Sequence, residues 1–171
     1  MTVRRRLLVV VAALVVGLGL GGCSGSEHKR VSPGAIKTLE LPDAPADLLG
    51  LRLQREDVSA TTQRVNLAFV DSVALYSLRN DKDLVQATLQ VSRFAPEART
   101  QKASFREAVV NQIGSAKPRA FRLGKRTVYL TTGTKQSIAV WFDGDHLFVL
   151  ASRADYDTPR TLLRKALELR A

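Results

Sequence analysis

The sequence is poor in the residues that carry most metal and thiol chemistry. It contains one cysteine, Cys23, and two histidines, His28 and His146. A single cysteine excludes a disulfide within the chain. No group of His, Cys, Asp and Glu has the spacing of a zinc site. We therefore expect no metal cofactor, and we expect the fold to be stabilised by its hydrophobic core.

Common catalytic and phosphate-binding motifs are also missing. No Gly-x-Ser-x-Gly sequence occurs, so a pair formed by His146 with Asp143 or Asp145 has no recognisable serine to activate. The GKR sequence at residues 124–126 lacks the earlier glycine and the Ser/Thr of a phosphate-binding loop. The NDKD sequence at residues 80–83 has too few oxygen ligands for a calcium loop. These absences favour a protein that is not an enzyme.

The longest uncharged apolar run is too short to span a membrane. Residues 7–20 are all Leu, Val, Ala or Gly, whereas a spanning helix needs about 20 apolar residues. Three arginines, Arg4, Arg5 and Arg6, precede the run, and small residues follow it. A basic segment, a short apolar segment and small residues are typical of a secretory signal peptide. The sequence therefore predicts a signal peptide at residues 1–22.

The end of the apolar run carries a more specific pattern. Leu20-Gly21-Gly22-Cys23 resembles the lipobox of bacterial lipoproteins, in which an aliphatic residue and two small residues precede a cysteine. The resemblance implies cleavage before Cys23 and a diacylglyceryl group on its thiol, and apart from this covalent lipid we expect no cofactor. Two acyl chains hold a protein stably on a membrane. The expected location is the extracytoplasmic side: the outer face of the plasma membrane, or the periplasmic side in a Gram-negative cell.

The chain beyond the signal divides into a predicted tether and one predicted domain. Residues 23–46 are polar or rich in Pro, Gly and Ala, which favours a flexible lipid-anchored tether reaching about 25 Å on average. Residues 47–171 have the length of a single domain. Without residues 1–22, which hold three arginines and no acids, the chain keeps 23 basic and 16 acidic residues, a net charge of +7.

A cluster of basic residues accounts for part of this charge. Its members are Lys117, Arg119, Arg122, Lys125 and Arg126. An exported, anchored protein rarely meets nucleic acid, so the expected partners are anionic lipid headgroups or acidic components of the envelope. The alternative is a solvated surface that keeps the domain soluble.

Hydrophobic periodicity predicts an α+β fold. Alternating apolar residues indicate a strand near residues 49–53 and a hairpin joining residues 73–78 to 87–91, while residues 58–70 are ambiguous. A capping-box pattern at Ser104 begins a helix, and Thr158-Pro159 begins a second. Between them, four short apolar runs extend from Ala120 to Ser152. We expect an antiparallel sheet of about five to seven strands built from hairpins, with two or three helices packed on it.

The hairpin around Asp143-Gly144 has two apolar faces. One face carries Ile138, Val140, Phe142, Leu147, Val149 and Ala151, and the other carries Ala139, Trp141, His146, Phe148 and Leu150. The second face, together with Tyr129, is a candidate ligand or partner face made of Tyr129, Trp141, His146 and Phe148. The alternative is an aromatic pair that fills a second core beneath a helix or loop.

Three functions follow from these observations. The first is a non-catalytic interaction or binding domain of the cell envelope, anchored to the membrane by lipid and contacting an envelope protein or an anionic component. The second is a carrier of a lipid, glycolipid or small molecule that uses the Trp141/Phe148 face. The third is an envelope hydrolase whose site, with His146 as a candidate residue, the sequence does not reveal.

Overall fold

The computed structural model describes residues 37–41, 44–57, 69–113, 117–132, 136–153 and 159–169. The predicted signal peptide, Cys23 and His28 lie outside these residues, as does most of the ambiguous stretch. The described residues form nine strands, two α-helices and one 3-10 turn. In chain order the elements are β1 (Lys37–Thr38), β2 (Asp47–Leu48), β3 (Leu51–Arg55), β4 (Val70–Arg79), β5 (Val85–Phe94), the turn Pro96–Ala98, α1 (Ala103–Ile113), β6 (Arg119–Leu123), β7 (Arg126–Thr132), β8 (Gln136–Asp143), β9 (His146–Arg153) and α2 (Pro159–Ala166).

The nine strands form one sheet in the order β2-β3-β4-β5-β9-β8-β7-β6. Every neighbouring pair in this order is antiparallel. The exception is β1, which lies off this path and runs parallel to β4. In this order β6 has a single neighbour, β7, and it is therefore an edge strand of the described sheet.

The predicted α+β fold class is wrong. The described residues hold nine strands rather than five to seven, and only two short α-helices accompany them, so the fold is mainly β. The additional strands include β1 and β2, each two residues long. A two-residue strand is too short to show hydrophobic alternation, and its pairing depends on a partner strand that the local sequence does not specify.

Each face of the sheet carries its own hydrophobic core. On one face, α1 buries Val109 and Val110 in a cluster with Phe94 and Leu147. On the other face, α2 contributes to a cluster that contains Trp141, Phe148, Leu89, Val128, Leu162, Leu163 and Ala166. Strands buried on both faces are apolar throughout rather than alternating, which explains the two apolar faces of the β8–β9 hairpin.

Residues 37–41 belong to the folded domain, although they fall within the predicted tether. Lys37 pairs with Ser72 and Thr38 with Val73, and the backbone N–H of Leu39 donates to the carbonyl of Val73 at 2.9 Å. Leu39 and Leu41 are buried in the same core as Trp141. The domain therefore begins at least ten residues before position 47, because two leucines of this segment have a hydrophobic surface to cover.

Candidate functional site

The aromatic pair of the β8–β9 hairpin lies inside a core. Trp141 and Phe148 are directly opposite each other, with ring centroids 5.1 Å apart and planes 9° apart. Both side chains have no exposed surface. Leu162, Leu163 and Ala166 of α2 lie in the same buried cluster. The face is therefore covered by the C-terminal helix and has the arrangement of an aromatic core pair.

The structure does not bring the four residues of the candidate ligand face together. Tyr129 pairs with Val140 in the β7–β8 register and packs with the α1 cluster, on the face opposite Trp141. His146 lies at the end of the hairpin, where its Nδ1 is 2.8 Å from Oδ1 of Asp145. Only Trp141 and Phe148 are in contact with each other. The sequence alone gives no register between β7 and β8, so the face of Tyr129 was not predictable.

The described residues contain no cluster of three or more His, Cys, Asp or Glu that could hold a metal ion. Within the same residues, neither helix combines the length and the apolar character needed to cross a membrane. The carboxyl groups with shifted pKa values, those of Glu40 and Asp71, belong to ion pairs with Arg55 and Arg93. The guanidinium of Arg55 lowers the pKa of Glu40, and that of Arg93 lowers the pKa of Asp71. Burial raises the pKa of the Tyr76 hydroxyl.

The predicted basic cluster lies on the β6–β7 hairpin at the edge of the sheet. Lys117, Arg119, Arg122 and Lys125 are exposed, and none of them forms an ion pair with another described residue. Arg126 differs, since its guanidinium binds Oδ2 of Asp143 at 2.5 Å and donates to the carbonyl of Leu167. We call these five residues the basic hairpin. No Asp or Glu occurs between residues 108 and 142, so the hairpin has no acidic neighbour in sequence.

A cleft of about 740 Å³ opens beside the basic hairpin. It lies between the start of α1, the β6–β7 turn, the end of β8 and the turn that follows α2. The charged residues that line it are Arg106, Lys125, Arg126, Asp143 and Glu168, and its neutral hydrogen-bonding residues include Gln101, Thr127 and Tyr129. A second cleft, of about 470 Å³, is lined by Leu48, Leu49 and Leu169 and shares Glu168 with the first.

Arg106 is the residue of the larger cleft that sequence reasoning missed. Its guanidinium carbon lies 5.2 Å from the centroid of the Phe142 ring, and its Nε donates to the carbonyl of Thr100 at 2.6 Å. It forms no ion pair with another described residue. In the sequence it is one polar residue of an amphipathic helix, and only the packing of α1 on β8 shows that it faces the cleft.

What this site binds must be inferred from the residues of the chain itself. No protein-family model matches the sequence, and comparisons with characterised proteins and with solved structures find no significant match.

Proposed function

We propose that the protein is a lipid-anchored, non-catalytic binding domain of the bacterial cell envelope. In this proposal Cys23 carries the lipid, and the basic hairpin contacts the anionic headgroups of the membrane on its extracytoplasmic side. The observation that supports it is the set of four exposed cations at the sheet edge, none of which has an acidic partner among the described residues. Such charges are attracted to an anionic surface by about 1 kcal/mol each.

Several arginines on strands β3 to β5 are instead paired with acids of the domain itself. Arg52 binds Asp83 at 2.5 Å, and Arg55 binds Glu40 at 2.8 Å. Arg93 is paired with Asp71. These pairs leave little net charge on strands β3 to β5, whereas the basic hairpin keeps its positive charge for an external partner.

The position of the anchor agrees with a surface that works close to the membrane. Thirteen residues separate Cys23 from Lys37, the first residue of β1. A coil-like tether of this length reaches about 20 Å on average. The domain would therefore be held near the headgroups, where the attraction of a basic surface acts within the screening length of about 8 Å at physiological salt.

The first prediction concerns the lipid anchor. We expect intact-mass analysis of the membrane-extracted protein to show a chain that begins at Cys23 and carries a diacylglyceryl group. Cys23→Ser should lack this added mass, because a hydroxyl is not the thiol that receives the lipid. A wild-type chain that begins elsewhere, or carries no lipid, would overturn the anchored form of the proposal.

The second prediction concerns the basic hairpin. The mature chain with Ser at position 23, exported behind a cleavable signal, should float with phosphatidylglycerol vesicles and not with phosphatidylcholine vesicles. Replacing Lys117, Arg119, Arg122 and Lys125 by Gln should weaken this binding at least tenfold, at about 1 kcal/mol per charge. Higher salt should weaken the wild-type binding as well.

A matched variant separates the hairpin from the total charge of the domain. Replacing Lys37, Lys82, Lys102 and Arg164 by Gln removes the same charge from other exposed positions. This control should keep most of the vesicle binding. Equal losses in the two variants would show that the hairpin is an ordinary solvated surface and would refute its proposed role.

A further inference from the structure

We propose that the cleft around Arg106 is a binding site for a phosphate group. The site is centred on a different element from the proposed membrane contact, because Arg106 lies on α1 and not on the basic hairpin. It shares only Lys125 and Arg126 with that surface. The inference therefore does not depend on the lipid anchor or on vesicle binding.

Arg106 is held ready to receive an anion. The Phe142 ring supports its guanidinium at 5.2 Å, and the Thr100 carbonyl takes its Nε hydrogen at 2.6 Å. These two contacts fix the plane of the guanidinium, while no carboxylate of the described chain pairs with it. A planar guanidinium with free Nη groups suits two parallel hydrogen bonds to phosphate oxygens. Because the side chain is already ordered, binding costs little further entropy.

The charge balance of the cleft leaves two cations unpaired. Asp143 is paired with Arg126 at 2.5 Å, and Glu168 is paired with Lys165 at 3.1 Å. Both acids that line the cleft are thus neutralised within the protein, and Arg106 and Lys125 have no carboxylate partner among the described residues. A phosphate monoester carries a charge of about −1.5 to −2 at neutral pH, and a phosphodiester carries less, but both offer several acceptor oxygens to these two cations.

Neutral donors complete the lining. Tyr129, Thr127 and Gln101, whose side chains carry hydrogen-bonding groups, line the same cleft. A volume of about 740 Å³ also leaves space for a group esterified to the phosphate. The phosphate would belong either to a soluble phosphate ester or to a phospholipid headgroup, since the residues recognise the chemistry that both share.

Inorganic phosphate titrated into the full chain in maltoside micelles tests the site. We expect saturable binding with a dissociation constant on the order of 1 mM, and NMR shifts at Tyr129 and at the Nε–H of Arg106. Arg106→Gln should weaken binding about tenfold or more, because it removes the charge-assisted hydrogen bonds. Lys125→Gln should weaken it less, while Lys82→Gln, at an exposed position outside the cleft, should leave it unchanged.

Several results would overturn the proposal of a phosphate site. These are an intact protein that does not bind phosphate, unchanged affinity in Arg106→Gln and Lys125→Gln, or an equal loss of affinity in Lys82→Gln. The Lys125 variant keeps the test valid if loss of the Phe142 contact unfolds the Arg106 variant. Tighter binding of dihexanoyl-phosphatidylglycerol than of glycerol phosphate identifies a headgroup as the source, and the reverse order identifies a soluble ester.

Discussion

Replacing Trp141 by alanine is expected to lower the free energy of unfolding by about 3–5 kcal/mol. The side chain has no exposed surface, and it stacks on Phe148 with 5.1 Å between the ring centroids. Deleting the indole therefore removes a large buried apolar surface and leaves a cavity between the sheet and α2. Neighbouring side chains fill such a cavity only in part, because protein interiors are close-packed.

Trp141→Phe should lower the free energy of unfolding by well under half as much as Trp141→Ala. The Nε1 of Trp141 is buried and has no hydrogen-bond partner among the described residues. A buried unpaired donor carries a desolvation penalty of about 1–3 kcal/mol. Trp141→Phe removes that penalty together with part of the packing, whereas alanine removes nearly all of the packing.

Urea denaturation followed by far-ultraviolet circular dichroism measures both changes without relying on tryptophan fluorescence. Leu84→Ala serves as the control, because Leu84 is 54% exposed and its truncation should change stability by no more than about 0.5 kcal/mol. A loss below about 1 kcal/mol for Trp141→Ala would contradict an enclosed core side chain. It would instead favour an open aromatic groove, as the carrier hypothesis requires.

The β8–β9 hairpin shows how much of the fold is predictable from local pattern. Alternating apolar residues on both sides of Asp143-Gly144 separated the two faces, and the register pairs Trp141 with Phe148 and Phe142 with Leu147 accordingly. The hairpin closes with Asp143 opposite His146, and Gly144 has a φ of 61°. Glycine adopts this left-handed conformation without a Cβ clash, so a strong local preference agrees with the tertiary structure here.

Local pattern failed where partners in space determine the structure. The two-residue strand β1 exists because β4 offers it a parallel neighbour, and no alternation marks it in the sequence. The capping-box pattern placed a helix start at Ser104, whereas α1 already includes Ala103. Arg106 and Tyr129 share a cleft only because α1 packs beside β7 and β8. The order of strands in the sheet decides that contact, and the sequence does not state that order.

The basic hairpin is the part of the candidate site whose residues could be recognised from the sequence. The five residues of the basic hairpin were recognisable because cations cluster within a stretch free of Asp and Glu. The structure places Arg119, Arg122 and Arg126 on the two adjacent strands β6 and β7 at a sheet edge, with Lys117 just before β6 and Lys125 in the turn between them. It also separates Arg126 from the rest, because Asp143 lies across the β7–β8 pair and binds it at 2.5 Å. That ion pair joins residues 17 positions apart in the chain.

Substitution of Leu162 by aspartate is expected to detach α2 from the sheet and to lower the free energy of unfolding by more than about 4 kcal/mol. An isolated helix of this length is marginal in water, so α2 depends on its packing. Leu162 has no exposed surface and lies in the Trp141 cluster. A carboxylate there is buried without a cationic partner, which costs far more than the loss of apolar contacts.

The readout is the environment of the tryptophan. In the wild type Trp141 is buried, and its emission should be that of an apolar surrounding. Leu162→Asp should shift this emission to longer wavelength and increase binding of a hydrophobic dye, because the core face beneath α2 becomes accessible. Leu162→Ala should lower the free energy of unfolding by less than Leu162→Asp does, by about 2–5 kcal/mol. It should also shift the tryptophan emission less.

Arg164→Asp provides the matched control on the same helix. Arg164 is exposed, so introducing the same carboxylate there should leave the emission unchanged and stability within about 1 kcal/mol. The guanidinium of Arg126 also donates to the carbonyl of Leu167, which favours the docked end of α2 in both variants. If Leu162→Asp and Arg164→Asp gave the same emission and the same stability, α2 would not cover the Trp141 face.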